Sequence, residues 1–230
     1  MTLLKKYITC YEPLNMGLKN RGFKQKGKYR FLREYNECIQ EFDFGHANYG
    51  PVKSFGFSVC VSYPQIQKLG EELGAISAGS IGTNIGYITP DKAYKTWDID
   101  ASMPNIDELM NNVACDMFND IEKYAIPFME RFSSIQELIN EIEKGNQLVT
   151  IGSDYQLPIL YFLNSEKDLA LSYLKRELER KEAASHRYYN DYPFADEMDD
   201  KSSSSNDCFL KEYQTFAKKF FDMLDQENPV

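Results

Sequence analysis

Phe55-Gly56-Phe57-Ser58-Val59-Cys60-Val61-Ser62-Tyr63 alternates between large apolar and small residues without a break. A period of two sets Phe55, Phe57, Val59, Val61 and Tyr63 on one face of an extended chain and Gly56, Ser58, Cys60 and Ser62 on the other. That pattern predicts a strand with one buried face. Pro64 ends it, and residues 65–73 read as a short helix closed by Gly74. Upstream, Cys38, Phe42 and Phe44 alternate with Glu41 and Asp43, and Tyr35 and Asn36 stand where a tight hairpin turn belongs. Phe23, Tyr29 and Phe31 alternate with Lys24, Lys26, Lys28 and Arg30, which predicts one further strand with a wet, basic face. Before it, Leu3, Leu4, Tyr7, Ile8, Tyr11, Leu14 and Leu18 recur at helical spacing up to an exit at Gly22.

Downstream, Gly74, Gly79, Gly82 and Gly86 mark a loop, followed by two expected short strands at 83–88 and 94–99 around the turn residues Thr89, Pro90 and Asp91. Helices dominate afterwards. Residues 106–124 are amphipathic, Pro127 begins or bends a further segment, and Ser134 with Glu137 forms a capping box for a helix ending at Gly145. Residues 157–181 split at Asn164 and Ser165 into a helical pair. Residues 188–207 lack apolar periodicity and read as a mobile acidic loop, whereas Tyr213, Phe216, Ala217, Phe220 and Leu224, with Phe209, Leu210 and Phe221, give the last helix an apolar face.

The expected fold is therefore α+β: an antiparallel sheet of about five strands, with an N-terminal helix and C-terminal helices packed on one face. Residues 1–145 form the sheet domain, and residues 146–230 are a helical extension, packed on it as one unit. An opening helix, Gly22-Phe23-Lys24-Gln25-Lys26-Gly27, the paired aromatic strands, and Ile85-Gly86-Tyr87 followed by Trp97 resemble the bacterial family catalogued as domain of unknown function 4304, over roughly residues 1–145. The resemblance implies an α+β fold and brings no catalytic residues with it.

The chain has 230 residues, 43% hydrophobic and 27% charged, as an ordinary globular protein has. Its 26 basic and 35 acidic residues give a net charge of -9, which disfavours non-specific nucleic-acid binding by the whole molecule. The charge is uneven: residues 1–60 carry a balance of +5 and residues 61–230 one of -14. Lys5 and Lys6 interrupt the first apolar patch, so no secretory signal is expected, no membrane span is legible, and the cytoplasm is the expected location. Five widely spaced cysteines without a CxxC pair suggest neither a disulfide framework nor a zinc ribbon.

With a turn at Tyr35 and Asn36, Arg30 is expected opposite Glu41 and Lys28 opposite Asp43, leaving Lys24 and Lys26 as the unpaired candidates for binding an anion. A solvated sheet face is the commoner meaning of such a stripe. Cys60, Trp97 and Asp98 are candidates for a pocket, and Cys60 as a nucleophile would need His46 or His186 beside it. Asp98 and Asp100 share a strand face and are capable of holding an ion, as Asp116 and Asp120 are of acid-base work, but exposed carboxylates are the default. The glycines at 79–86 lack the Lys-Ser or Lys-Thr of a phosphate loop, and no cofactor, metal site or catalytic residue is expected.

What remains is an interaction protein, more a binder than an enzyme, whose most specific version is an immunity-type protein masking a basic partner. Tyr188, Tyr189, Tyr192 and Phe194 beside Asp196, Glu197, Asp199 and Asp200 are its candidate contact residues, aromatic anchors in a negative field. The alternatives are a small-ligand receptor or enzyme with a cleft between sheet and helices, and a nucleic-acid binder using Lys24 and Lys26.

Overall fold

The computed structural model describes residues 12–75, 78–149, 152–191 and 203–226. The alternating stretch forms the central strand. Phe55, Phe57, Val59, Val61 and Tyr63 are all at most 2% exposed, and each such side chain contributes about 1.5–3 kcal/mol by leaving water. Strand β4 (Val52–Ser62) pairs antiparallel with β3 (Cys38–Tyr49), setting Phe44 opposite Phe57 and Phe42 opposite Val59. The rings of Phe42 and Phe44 lie 5.9 and 5.3 Å from that of Phe57, so the strand pair is glued by aromatic contacts on its inner face.

The basic segment departs from the expected single strand. It folds into β1 (Lys24–Lys26) and β2 (Arg30–Tyr35), which pair Lys26 with Arg30. Gly27 makes the reversal with a φ of +71°, a conformation other residues resist. A three-residue turn preserves the alternation, so Lys24, Lys26 and Arg30 still share a face, on two strands instead of one, while Lys28 sits in the turn. The next turn lies at Asn36 and Glu37, one residue later than expected, with Tyr35 paired to Cys38. Arg30 therefore faces Asp43, not Glu41. A two-residue displacement of partners keeps every side chain on its face, and Arg30 still grips Glu41 diagonally through two bonds of 2.7 and 2.5 Å. The expected pair of Lys28 with Asp43 does not form.

Two strands border the far edge of β4 end to end. β5 (Ser80–Asn84) pairs with Ser58–Ser62 and β6 (Trp97–Asp100) with Val52–Phe55, which leaves Gly56 and Phe57 without a strand partner on that side. Among the described residues the sheet thus has six strands, all antiparallel. The strand expected at 83–88 stops at Asn84, because the Asn84 side chain accepts the Gly86 N–H and caps a 3₁₀ turn, Ile85–Ile88. The one expected at 94–99 is confined to β6.

Around the sheet, α1 (Glu12–Asn20) ends at Gly22, whose N–H bonds to Lys19 O while Phe23 N–H reaches Leu18 O. Gly17 brings α1 against α3 (Ile106–Asp120), for a Cβ there would lie 2.3 Å from the Phe118 ring. α3 continues through a π-helical turn (Ile121–Ala125) into α4 (Ile126–Arg131). Pro127 has no N–H for the Lys123 carbonyl, and the wider turn, with Ile126 N–H bonded to Ile121 O, accommodates that loss. Met110, Ala114, Met117, Ile121, Ala125 and Met129 form the buried stripe of this helix. Ser134 accepts the Glu137 N–H and opens α5 (Ile135–Glu143), which ends at Gly145 as its capping box predicted.

The chain divides into two compact units, residues 1–64 with 80–138 and residues 65–79 with 139–230. The second gathers α2 (Pro64–Leu73), α6 (Ser153–Leu163), α7 (Lys167–Asp191) and α8 (Ser203–Gln226). α6 and α7 part at Ser165, which takes a φ of +63°. Pro158 inside α6 strips the Asp154 carbonyl of its helical donor, and the Tyr213 hydroxyl donates to that carbonyl instead, at 3.4 Å. Tyr155 meets Tyr213 and Phe216 at 5.3 and 5.0 Å, which docks the apolar face of α8 on α6. Phe209, expected on that face, is 61% exposed. The region expected to be a loop at 188–207 is helical at both ends, since α7 runs to Asp191, two residues short of Pro193, and α8 starts at Ser203.

Candidate functional site

The outer face of the sheet is built from the small alternate residues of the central strands. Gly45 lies opposite Gly56, Ala47 opposite Ser54 and Asp43 opposite Ser58. These short side chains leave the backbone bare, and a cleft of about 500 Å³ opens above them. Its far wall comes from the break between β5 and β6, where Asn84, Tyr94, Thr96 and Asp98 line it. Tyr49 and Tyr94, 69% and 68% exposed, stand on its rim.

That wall is held by three devices. Asn84 takes the Gly86 and Lys95 amides on Oδ1 at 2.9 and 2.8 Å and donates Nδ2 to Lys95 O at 3.2 Å. Gly86 lets the loop close on itself, since a Cβ there would sit 1.9 Å from Ala93 O. Lys95 then anchors the loop to the helix through Asp120, Nζ to Oδ2 at 2.5 Å, with its ammonium 4.8 Å over the Trp97 ring. A partly buried ion pair of this kind is harmful to break because the remaining charge is left without a partner.

Asp43 and Asp98 carry the electrostatics of the cleft. Both are exposed, and neither has a hydrogen bond or ion pair among the described residues. Arg30, the nearest cation in register, is taken up by Glu41. The Asp100 carboxylate shares the face of Asp98 but is occupied by the Ser102 hydroxyl and then its N–H, which hold its pKa below the usual value. No three His, Cys, Asp or Glu side chains gather to hold a metal ion among the described residues.

The pocket candidates separate. Asp98 lines the cleft, whereas Trp97 points inward, 9% exposed and stacked on Phe57 at 5.8 Å. Cys60 lies on the outer face between Glu41 and Gly82, outside the lining. Burial and then the Glu41 carboxylate push its thiol up to about 11, the reverse of nucleophile activation. His46 pairs with Phe55, five residues from Cys60 along β4, about 16 Å at ordinary strand rise, so the two do not form a dyad. Asp116 is exposed and Asp120 is committed to Lys95. Lys24 and Lys26 are exposed on β1 without an ion pair among the described residues. Tyr188 and Tyr189 fall within α7, but their side chains, and those of His186, Tyr192, Phe194, Asp196, Glu197, Asp199 and Asp200, lie outside the described residues.

Sequence reading missed a second polar cluster, on the inner face. Arg33, its side chain 9% exposed, bonds to Glu130, Gln40 and the Arg21 carbonyl, with the Phe23 and Tyr35 rings each 4.7 Å from its guanidinium. Gln40 passes the chain of bonds to Ser133, which also receives the Cys38 thiol. Arg33 and Gln40 fall on inward positions of the β alternation, the one clue available beforehand. Gln40, Cys38 and Ser133 are buried and Glu130 closes the cluster at the surface, a structural clamp and not a binding surface.

No helix among the described residues is long and apolar enough to cross a membrane. No curated protein and no solved structure matches the chain. The family model described as Domain of unknown function (DUF4304) matches residues 14–131, just over half of the sequence. Those residues hold all six strands, the cleft and its anchor at Asp120, and on that match the chain belongs to the DUF4304 family.

Proposed function

We propose that this protein is a cytoplasmic bacterial binding protein that masks a basic protein partner, as an immunity protein masks a toxin. The observation that carries the reading is the open cleft with two carboxylates, Asp43 and Asp98, that make no hydrogen bond or ion pair among the described residues, and two exposed tyrosines at its rim. Aromatic side chains and charge complementarity are the usual means of anchoring and steering a partner. The net charge of -9 adds long-range attraction for a cationic surface. The test is co-expression with the product of a neighbouring reading frame, followed by capture with the native chain and with the double variant Asp43→Asn, Asp98→Asn. Capture of a basic protein that weakens with salt and is lost in the double variant supports the reading. Capture indifferent to both overturns it.

A second reading, a receptor for a small cationic ligand, draws on the cleft volume, which falls within the range of ordinary ligand sites. Nucleic-acid binding through Lys24 and Lys26 has only their exposure in its favour.

A further inference from the structure

The partner's recognition element can be read from the layout of the cleft, on the reading that the cleft takes a basic protein. Asp43 pairs with Ser58 on one edge of β4, and Asp98 pairs with Ser54 on the other. Four residues of rise along β4 and two strand spacings across it place their Cα atoms about 16 Å apart. Both carboxylates project from the same face, because paired residues of an antiparallel ladder point the same way. Between them lies the Gly45 and Gly56 pair, with open space where a Gly45 Cβ would be. A Gly56 Cβ would meet Lys95 O and the Thr96 methyl at 3.5 Å, so the open course for an extended chain starts at Asp43, runs over Gly45 on β3 and skirts Thr96 to reach Asp98.

We infer that the cleft recognises an extended segment of the partner carrying two basic side chains four positions apart, one seated at Asp43 and the other at Asp98. Residues at that spacing project from the same side of an extended chain about 13 Å apart, and flexible basic side chains close the remaining few ångströms. A spacing of two positions gives about 7 Å and falls short. Tyr94 and Tyr49 line the same cleft, and aromatic rings favour a guanidinium, so arginine is favoured over lysine. Arg30, the cross-strand neighbour of Asp43, feels its charge but gives its hydrogen bonds to Glu41, which leaves the Asp43 oxygens without a donor among the described residues.

The test uses two labelled peptides of equal composition and charge, with two arginines in a glycine and serine background, four positions apart in one and adjacent in the other. Binding to the full chain is followed by fluorescence anisotropy at low salt. The wider peptide is expected to bind about tenfold more tightly, and the preference is expected to vanish in Asp43→Asn and in Asp98→Asn. Melting temperatures of these variants should be nearly unchanged, as both side chains are exposed and make no hydrogen bond or ion pair among the described residues. Equal affinity of the two peptides overturns the spacing rule; if that equal binding is lost in the double variant, the basic-partner reading stands. Detectable binding of neither peptide also overturns the spacing rule, and the capture experiment then decides masking on its own. Tighter binding of free spermine than of either peptide overturns the inference in favour of a small-ligand receptor.

Discussion

Asn84 holds Lys95 at both polar groups of its backbone, accepting the N–H at 2.8 Å and donating to the carbonyl at 3.2 Å. A side-chain amide here does the work of a missing strand partner: it carries the edge of the sheet across the gap between β5 and β6. Asn84→Asp keeps the acceptor for the Gly86 and Lys95 amides but sets a carboxylate against the Lys95 carbonyl, and Asn84→Ala removes all three bonds. Both variants are expected to lose about 1–3 kcal/mol in urea denaturation. Hydrogen exchange at the Gly86 and Lys95 amides should accelerate in the alanine variant. Unaltered exchange at those two amides would show that the loop is held by other means.

Gln40 is fully buried and joins Arg33 to Ser133, with bonds of 2.6 and 2.7 Å. Gln40→Leu preserves bulk but leaves the Arg33 Nε–H without its acceptor, while Ser133 loses one donor and keeps its bonds to Met129 O and the Cys38 thiol. The expected loss is about 1–3 kcal/mol, read as a lower urea midpoint with an unchanged slope. A midpoint equal to that of the native chain would refute the account of this cluster as a clamp.

The Cys60 thiol, pushed up to about 11, should resist alkylation. At pH 9 a free thiol is about three-quarters ionised, whereas Cys60 exposes a thiolate in about one molecule in a hundred. Iodoacetamide labelling mapped by mass spectrometry from neutral pH to pH 10 is expected to modify Cys60 far more slowly in the folded chain than in urea. Equal rates in the two states would contradict the burial assigned to it.

Tyr63, Tyr173 and Tyr213 have their phenol pKa values raised, chiefly by burial, and Tyr161 by burial and then by its bond to the Glu143 carboxylate. A group whose folded pKa lies above its unfolded one contributes stability in full below the unfolded value, and that contribution disappears as pH rises towards the folded value. Stability is therefore expected to hold up to about pH 10 and to fall beyond it, by about 1.4 kcal/mol per pH unit for each of the fully buried phenols Tyr63 and Tyr213. Urea midpoints from pH 8 to 11, with tyrosinate absorbance alongside, check this. A midpoint that stays level past pH 10 would rule it out.

How much of this was legible beforehand depended on the range of the interaction. Phe55 to Tyr63 announces its strand because burial on one face fixes a period of two, and Ser134 with Glu137 announces its helix because a cap is local. The reversal at Gly27 was hidden, since a three-residue turn leaves the alternation of Lys24, Lys26 and Arg30 intact and periodicity cannot register it. The turn at Asn36 and Glu37 was missed by one residue for a related reason: displacing partners by two preserves every face. The end of β5 at Asn84 follows from its cap on the Gly86 N–H, which a period of two does not register, and it is secured by a bond to Lys95, eleven positions away, which no local pattern encodes. Of the cleft, the small outer residues Gly56 and Ser58 and the outward Asp98 could be read; Asp43 and Tyr94 joined them only through the pairing of β4 on both its edges.

The central position of β4 also orders events in time. A ribosome delivers β1 to β4 as neighbours joined by short turns, so this meander can assemble while β6 is still unsynthesised. The cleft has no such early start, because its far wall awaits residues 84–98 and the anchor at Asp120. Recognition would be the last property the nascent sheet acquires, and until then its unfinished β4 edge is open to stray strand pairing.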